Sequence, residues 1–340
     1  MNLKQLGRSG LLVSDLCLGA MIFGEQGPRG TAPDEAERMI QRYLDAGGNH
    51  IDTADVYADG RSEEIVGRAL AGKRSQAILA SKVRFGGPGN AQGLSRHHIL
   101  EAINSSLRRL QTDYIDLYYM HCWDPLTPLD ESLRAFEDLV TAGKVRYIGV
   151  SNFTAWQLMK ALGVSDARGW SRFVAAQYQY SLVKRDIEYE FSELCLSEGV
   201  GITAWGPLGG GFLSGKYRRD QRPAEASAGR IATTPDVQEE SWARRSTERN
   251  WQIVDAVAAV AKERGATSSQ IALAWLRAQP TVASVIIGAR TLEQLEDNLQ
   301  AATIALTAEE LERLNAVSAP PELYPYRMIA EYGARTPNDG

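Results

Sequence analysis

Cysteine is scarce in this chain: Cys17, Cys122 and Cys195 are its only three among 340 residues. Three scattered thiols make neither a disulfide framework nor a Cys-based zinc site, and a reducing cytoplasm is the simplest setting for them. Positive charge is not in excess either. The 37 Lys and Arg stand against 42 Asp and Glu, for a formal net charge of −5 and a pI near 5.6. A nucleic-acid binder needs clustered cations to displace counterions, so no such partner is expected, and any anion site must be local. Long apolar runs are missing as well. No stretch approaches the roughly 18 apolar residues that a membrane span requires. The first apolar segment is broken by Ser14 and Asp15, so it does not read as the core of a secretory signal. Finally, no Gly-x-Gly-x-x-Gly follows the first strand candidate, which counts against an open dinucleotide-binding sheet.

What is present is a strong alternation. At 44% hydrophobic and 23% charged residues the chain can fill a core, and short apolar segments alternate with longer stretches of helical period. Eight strand candidates lie at 16–18, 50–52, 78–80, 115–119, 147–150, 174–177, 201–204 and 284–287. Between them, segments such as 34–46, 62–71, 96–110 and 130–142 carry apolar residues on one side, and Gly47, Gly72 and Gly143 stand where three of them would close. Eight such units predict an α/β fold of the (β/α)₈ or TIM barrel type, as one domain over residues 1–340. Residues 1–12 read as a β-hairpin able to plug the barrel bottom. Residues 216–245 are polar, contain Pro223 and Pro235 and show no period, which predicts a long loop serving as a lid. Residues 319–340 read as a C-terminal tail.

In a parallel barrel, functional groups sit where strands end at the C-terminal face. Three consecutive strand ends bring reactive residues there. The second strand ends in Asp52 and leads on to Tyr57, the third to Ser81 and Lys82, and the fourth to His121. A lone Tyr, Lys or His is usually packed, solvated or satisfied. Acid, base and cation gathered on one rim make a reactive site. The other histidines, His50, His97 and His98, fall at a strand start and a helix start, and no set with ligand spacing surrounds His121, so no metal is expected.

The segments that carry these residues, Asp52-Thr53-Ala54-Asp55-Val56-Tyr57, Ser81-Lys82-Val83 and Tyr118-Tyr119-Met120-His121, resemble the aldo-keto reductase family in type, order and spacing. So do Ser151-Asn152, Gln177-Tyr178, the run Trp205-Gly206-Pro207-Leu208-Gly209-Gly210-Gly211, and Ile287-Gly288-Ala289-Arg290 with Gln294, Asp297 and Asn298. The likeness extends from about Leu3 to Ser318, closest to the bacterial and potassium-channel β-subunit branch. It implies an NADPH/NADP⁺-dependent oxidoreductase that interconverts carbonyls and alcohols, with Tyr57 as proton donor. Lys82 is expected to lower the Tyr57 pKa, Asp52 to hold the Lys82 ammonium, and His121 to orient the substrate oxygen.

The same resemblance implies the cofactor contacts. Trp205 would stack on the nicotinamide, and Ser151, Asn152 and Gln177 would bind its carboxamide. Gly19, Met21 and Asp52 would lie near the nicotinamide ribose and ring. Gly206, Pro207, Leu208 and Gly210 let backbone approach the pyrophosphate with help from Lys216. Gly288 leads to Arg290, which begins a helical stretch at 291–301 and suits the 2′-phosphate of NADPH, with Gln294 one turn later. Asp297 and Asn298 would meet the adenine. Gly206 and Ala20 depart from the Ser and Thr common in relatives. Phe23, Tyr57, His121 and Trp123 are the expected substrate walls, with a small carbonyl or alcohol as the partner. Two other roles compete: a cofactor-holding regulatory subunit, and a Schiff-base lyase using Lys82, which Asp52 opposes by keeping the amine charged.

Overall fold

The computed structural model describes residues 1–27, 29–224 and 229–333. Two short strands come first, β1 (Leu3–Gln5) and β2 (Leu12–Ser14), paired antiparallel. Eight parallel strands follow: β3 (Leu16–Gly19), β4 (His50–Asp52), β5 (Ile78–Val83), β6 (Ile115–Met120), β7 (Val145–Ser151), β8 (Phe173–Gln179), β9 (Gly201–Trp205) and β10 (Val282–Ile287). They close in chain order, β10 pairing with both β9 and β3. This is the (β/α)₈ barrel that the alternation predicts. The strands are buried on both faces, as all six residues of β6 and of β10 illustrate, which is why they read as continuous apolar runs.

The helices wrap the outside: α1 (Pro33–Asp45), α2 (Arg61–Ala69), α3 (Arg96–Leu110), α4 (Leu129–Thr141), α5 (Ala155–Arg168) and α6 (Phe191–Glu198). Their ends follow local chemistry. Pro33 begins α1 with Asp34 and Glu35 in its first turn, and Thr154 and Gln157 cap α5 reciprocally. The later helices are α7 (Arg230–Thr233), α8 (Trp242–Arg245), α9 (Glu248–Arg264), α10 (Ser268–Arg277), α11 (Leu292–Gln300), α12 (Ala308–Ser318) and α13 (Tyr326–Tyr332).

The β1–β2 hairpin closes the N-terminal end of the barrel. Leu6 and Val13 are fully buried against Ala80, Leu117, Tyr119, Ala175 and Ala283. The approach is close enough to require glycine at the turn. Gly7 takes φ +57°, and a Cβ there would stand 2.5 Å from the carbonyl oxygens of Gly199 and Val174. Above this apolar plug the lumen becomes polar. Tyr119 on β6 meets Thr203 on β9 at 3.0 Å between hydroxyls, and His50 Nδ1 lies 3.2 Å from Ser284 Oγ.

Three expectations are corrected. Several strands run past their predicted ends, and β5 contains Lys82 rather than stopping before it, because the ladder continues through Lys82↔Tyr119 and Val83↔Met120. The 216–245 span is not structureless over its described residues. It holds α7 and α8, and its Tyr217 and Trp242 pack at 6.0 Å between ring centroids and join Phe212 and Trp251. The expected tail contains α13, where Tyr326 stacks on Tyr189 at 5.0 Å; residues 334–340 lie outside the described residues.

Candidate active site

Tyr57 owes its position to an unusual turn. After β4 the chain must reverse into α2 within a few residues, and it does so through three consecutive left-handed residues, Ala58 (φ 50°), Asp59 (φ 56°) and Gly60 (φ 90°). Left-handed backbone costs roughly 1–2 kcal/mol per non-glycine residue, so the surroundings must hold it in place. The turn carries the Tyr57 side chain over β5. There Lys82, fully buried, places its three donors on three acceptors: Asp52 Oδ1 at 2.5 Å, the Thr53 carbonyl at 2.8 Å and the Tyr57 hydroxyl at 3.2 Å. The ammonium has no donor left over.

The electrostatics differ in one respect from expectation. Burial by itself lowers the Lys82 pKa, but Asp52 and Tyr57 outweigh it and hold the ammonium above its usual range. Burial also pushes the Tyr57 hydroxyl up, and Lys82 pulls it only part of the way back, so the net shift is upward rather than the expected downward one. The Coulombic pull of Lys82 is the predicted one; desolvation is stronger. His121 stands beside the pair, its ring edge-on to Tyr57 at 5.8 Å and to Phe85 at 5.0 Å. Burial first and the Lys82 charge second hold its imidazole well below its usual pKa, so it is neutral at neutral pH, and its Nδ1 is buried without a partner.

Hydrogen bonds extend this group round the rim. The second Asp52 oxygen accepts from Gln177 at 2.8 Å, Ser151 donates to the Gln177 carbonyl at 2.8 Å, and Asn152 donates to Ser151 Oγ and to the His121 carbonyl, both at 2.9 Å. Asn152 itself sits at φ 54°, which turns its amide across the strand ends.

These residues line a cavity of about 900 Å³ at the C-terminal face. Of the predicted site residues, Gly19, Met21, Asp52, Tyr57, His121, Ser151, Asn152, Gln177, Trp205, Gly206, Pro207, Leu208, Gly210, Lys216, Gly288, Arg290, Gln294, Asp297 and Asn298 all face it. Lys82 does not line it and reaches it through Asp52 and Tyr57. Phe23 and Trp123 do not line it. Phe23 is fully buried, because Gly24 and Ile22 exchange backbone hydrogen bonds with Thr31 and fold the loop back, leaving Ile22 on the wall. Trp123 turns to Phe153 and Trp156, at 5.1 and 5.9 Å.

The sequence model of the Aldo/keto reductase family matches residues 15–319, which contain every residue named on this cavity. The chain belongs to the aldo/keto reductase family. It is 38% identical over 331 residues to an uncharacterized oxidoreductase, YrpG, of Bacillus subtilis, covering 93% of this chain and 96% of that protein. It is 37% identical to a probable voltage-gated potassium channel subunit beta of Oryza sativa subsp. japonica, over 96% and 100% of the two chains. An aryl-alcohol dehydrogenase of Phanerodontia chrysosporium, named for NADP(+), is 32% identical over 95% and 87%.

Within this aldo/keto reductase the distal part of the cavity is built from several elements. Thr291 caps α11, and the Arg290 backbone N–H donates to Gln294 Oε1 at 3.0 Å. Asp297 is held by Gln270 at 2.8 Å and Thr267 at 3.2 Å, and Asn298 donates to the Gly288 carbonyl at 3.3 Å. Burial and the nearby Arg290 charge lower the Lys216 pKa. Residues that sequence reasoning missed include Ile22, Arg29, Ser214, Ser269, Glu293 and, in the 216–245 span, Arg230 and Glu240. No local pattern marks the last two, since only tertiary folding of an aperiodic segment brings them to the wall. Among the described residues, no helix is long and apolar enough to cross a membrane, and no group of three or more His, Cys, Asp or Glu could hold a metal ion.

Proposed function

We propose that this family member is an NADPH-dependent enzyme that reduces aldehydes or ketones to alcohols, reversibly, with the proton given by Tyr57. The observation that carries the reading is the Lys82 ammonium, which donates at once to Asp52, Thr53 and the Tyr57 hydroxyl beneath a cavity shared with His121. The cavity's chemistry fits the cofactor. Gly206, Gly210 and Gly211 line the cavity at positive φ and leave backbone exposed on one wall, beside Pro207 and Leu208. A Cβ at Gly19 would stand 2.7 Å from Ile286 Cγ2. Trp205, the amides of Asn152 and Gln177, and the cations Lys216, Arg230 and Arg290 supply a plane, hydrogen-bonding partners and positive charge. Trp205, Ser151, Asn152 and Gln177 would hold the nicotinamide end, Lys216 and Arg230 the pyrophosphate, Arg290 with Gln294 the 2′-phosphate, and Asp297 with Asn298 the adenine.

NADPH, when bound, supplies the hydride. The chain's residues supply the rest. The neutral His121 ring and the Tyr57 hydroxyl receive the carbonyl oxygen between them. As negative charge grows on that oxygen, Tyr57 passes its proton across, and the Lys82 ammonium stabilises the phenolate left behind. Asp52 keeps that ammonium charged and aimed. The three cysteines are free thiols, which supports a reducing cytoplasm as the setting.

The test is NADPH consumption across a panel of simple aldehydes and ketones, followed by Tyr57→Phe. That variant is expected to keep its fold and NADPH binding while hydride transfer in stopped flow slows by about 10²–10⁴-fold. A rate within about threefold of the parent would remove Tyr57 from the acid role. A second reading, a cofactor-holding regulatory subunit with little turnover, is favoured by the rice relative's name. Tight NADPH binding without consumption across the whole panel would select it.

A further inference from the structure

Glu240 is one of four acidic side chains on this cavity, with Asp52, Glu293 and Asp297, and it is the one beside the glycine run. It is 4% exposed, and its Oε1 accepts no hydrogen bond. Its Oε1 lies directly under the glycine wall: a Cβ on Gly206 would be 3.3 Å from it and one on Gly210 3.8 Å. Those two positions, bare and at φ +65° and +72°, are what leave it room. On the cavity side, Arg230 Nε comes within 2.5 Å of Glu240 Oε2 as an ion pair. The other end of that guanidinium points inward, with Nη1 4.0 Å from Met21 Sδ, and its charge is felt at Tyr57. Arg245 lies against the same glycine run, its Nε 4.0 Å from where a Cβ on Gly209 would stand; it is 3% exposed, with Nε and Nη2 buried and unpartnered. Of the charges that face Arg245, Glu240 acts most strongly, followed by Glu239, Asp186 and Arg230.

We propose that Glu240 is a positioning residue, the middle member of a row Arg245–Glu240–Arg230 that aims the Arg230 guanidinium at the cofactor's phosphates. This rests on the NADPH reading given above. Buried charges of one sign repel, and a lone carboxylate here would repel phosphate; placed between two guanidiniums it does the opposite. Tying Nε to Glu240 leaves the two terminal nitrogens of Arg230 as a fork for an anion. The phosphate then continues the alternation of sign as its fourth member. Glu240 acts through Arg230 and touches neither substrate nor the reacting atoms.

Tryptophan fluorescence titration with NADPH separates this from its rivals, using the parent, Glu240→Gln, Glu240→Asp, Arg230→Gln and the Glu240→Gln/Arg230→Gln double variant. Glu240→Gln is expected to weaken NADPH binding about tenfold, raising the KM for NADPH with kcat nearly unchanged. In the Arg230→Gln background the same change is expected to have no further effect, since the partner it aims is gone. Glu240→Asp, which keeps the charge, is expected to recover most of the loss. Binding by Glu240→Gln that equals or exceeds the parent's overturns the inference, because the carboxylate would then be neutral or merely repulsive. Equal losses in both backgrounds also overturn it, as a structural effect. If Glu240→Gln fails to fold, Glu240→Asp carries the same comparison, with a loss of a few fold expected in the parent and none beside Arg230→Gln. A parent that does not bind NADPH overturns the cofactor reading itself, whereas a binding parent with an insensitive Glu240 overturns only the row.

Discussion

In the proposed reaction the phenol at position 57 gives up a proton in surroundings that discourage the loss. Burial raises the Tyr57 pKa, and the ammonium of Lys82, 3.2 Å away, is the main influence in the other direction. Replacing Lys82 by Met removes that influence and leaves the burial. The Tyr57 pKa then rises further, so the basic limb of the pH–rate profile is expected to move to higher pH while the rate falls; a limb that stays in place would separate Lys82 from the titration. Arg290 poses a different question, that of choice between cofactors. It precedes the Thr291 cap of α11, where the helix N-terminus already favours an anion. A charge-assisted contact to the 2′-phosphate contributes roughly 1.5–3 kcal/mol, so Arg290→Ala is expected to weaken NADPH binding by about tenfold to a hundredfold. NADH binding is expected to change little. Equal losses for the two cofactors, measured by fluorescence titration, would show that Arg290 does not read that phosphate.

Among the elements, the hairpin β1–β2 does its work by fitting tightly. Gly7→Ala would put a methyl group 2.5 Å from two carbonyl oxygens at a backbone angle that alanine resists. Urea unfolding is expected to show a loss of more than about 1 kcal/mol, with turnover per folded molecule unchanged; an unaltered midpoint would mean that the plug yields easily. The hairpin was legible from two short apolar runs around Gly7 and Gly10, and all eight barrel strands were legible in the sequence, because burial on both faces leaves short apolar runs between longer helical stretches. Their ends were not, and the reason is chemical. Lys82, Ser151, Gln177 and Trp205 sit on the last rungs of the ladder, where polar or bulky residues at the cavity rim stand in place of the Val and Ile by which a strand is recognised. The rim was legible in its residues and illegible in its loops. Phe23 and Trp123 follow strand ends as pocket walls should, but local hydrogen bonds and neighbouring rings turn them elsewhere. Tyr217 and Trp242 are 25 positions apart, so nothing local announces that they meet.

Taken whole, the molecule carries buried ionisable groups whose effects on stability run in opposite directions with pH. His50 is buried and neutral, its pKa held down to about 4 by burial. Unfolding frees it to bind a proton, so its contribution to stability is lost as pH falls from its ordinary value through about 4. Asp55 behaves in the reverse sense. Burial first, and Glu63 next, raise its pKa to about 7, so the folded chain holds a proton there that the unfolded chain releases, and stability is lost as pH rises from the ordinary carboxyl value to about 7. Asp55→Asn is therefore expected to raise the melting temperature relative to the parent at about pH 8 and to leave it nearly unchanged at about pH 4, where the carboxyl is largely protonated in both states. An equal shift at both values would mean that Asp55 does not titrate in the folded chain. The apolar plug and the reactive rim lie at opposite ends of the same eight strands, with Leu6 and Val13 at one and Tyr57 and His121 at the other. Activity that depends on strained or poorly satisfied groups usually limits how stable a protein becomes. Here the left-handed turn at Ala58 and Asp59 and the unpartnered His121 nitrogen belong to one end, and the dense packing belongs to the other. Rim loops can therefore diverge toward new substrates over evolutionary time while the opposite end of the barrel keeps the chain folded.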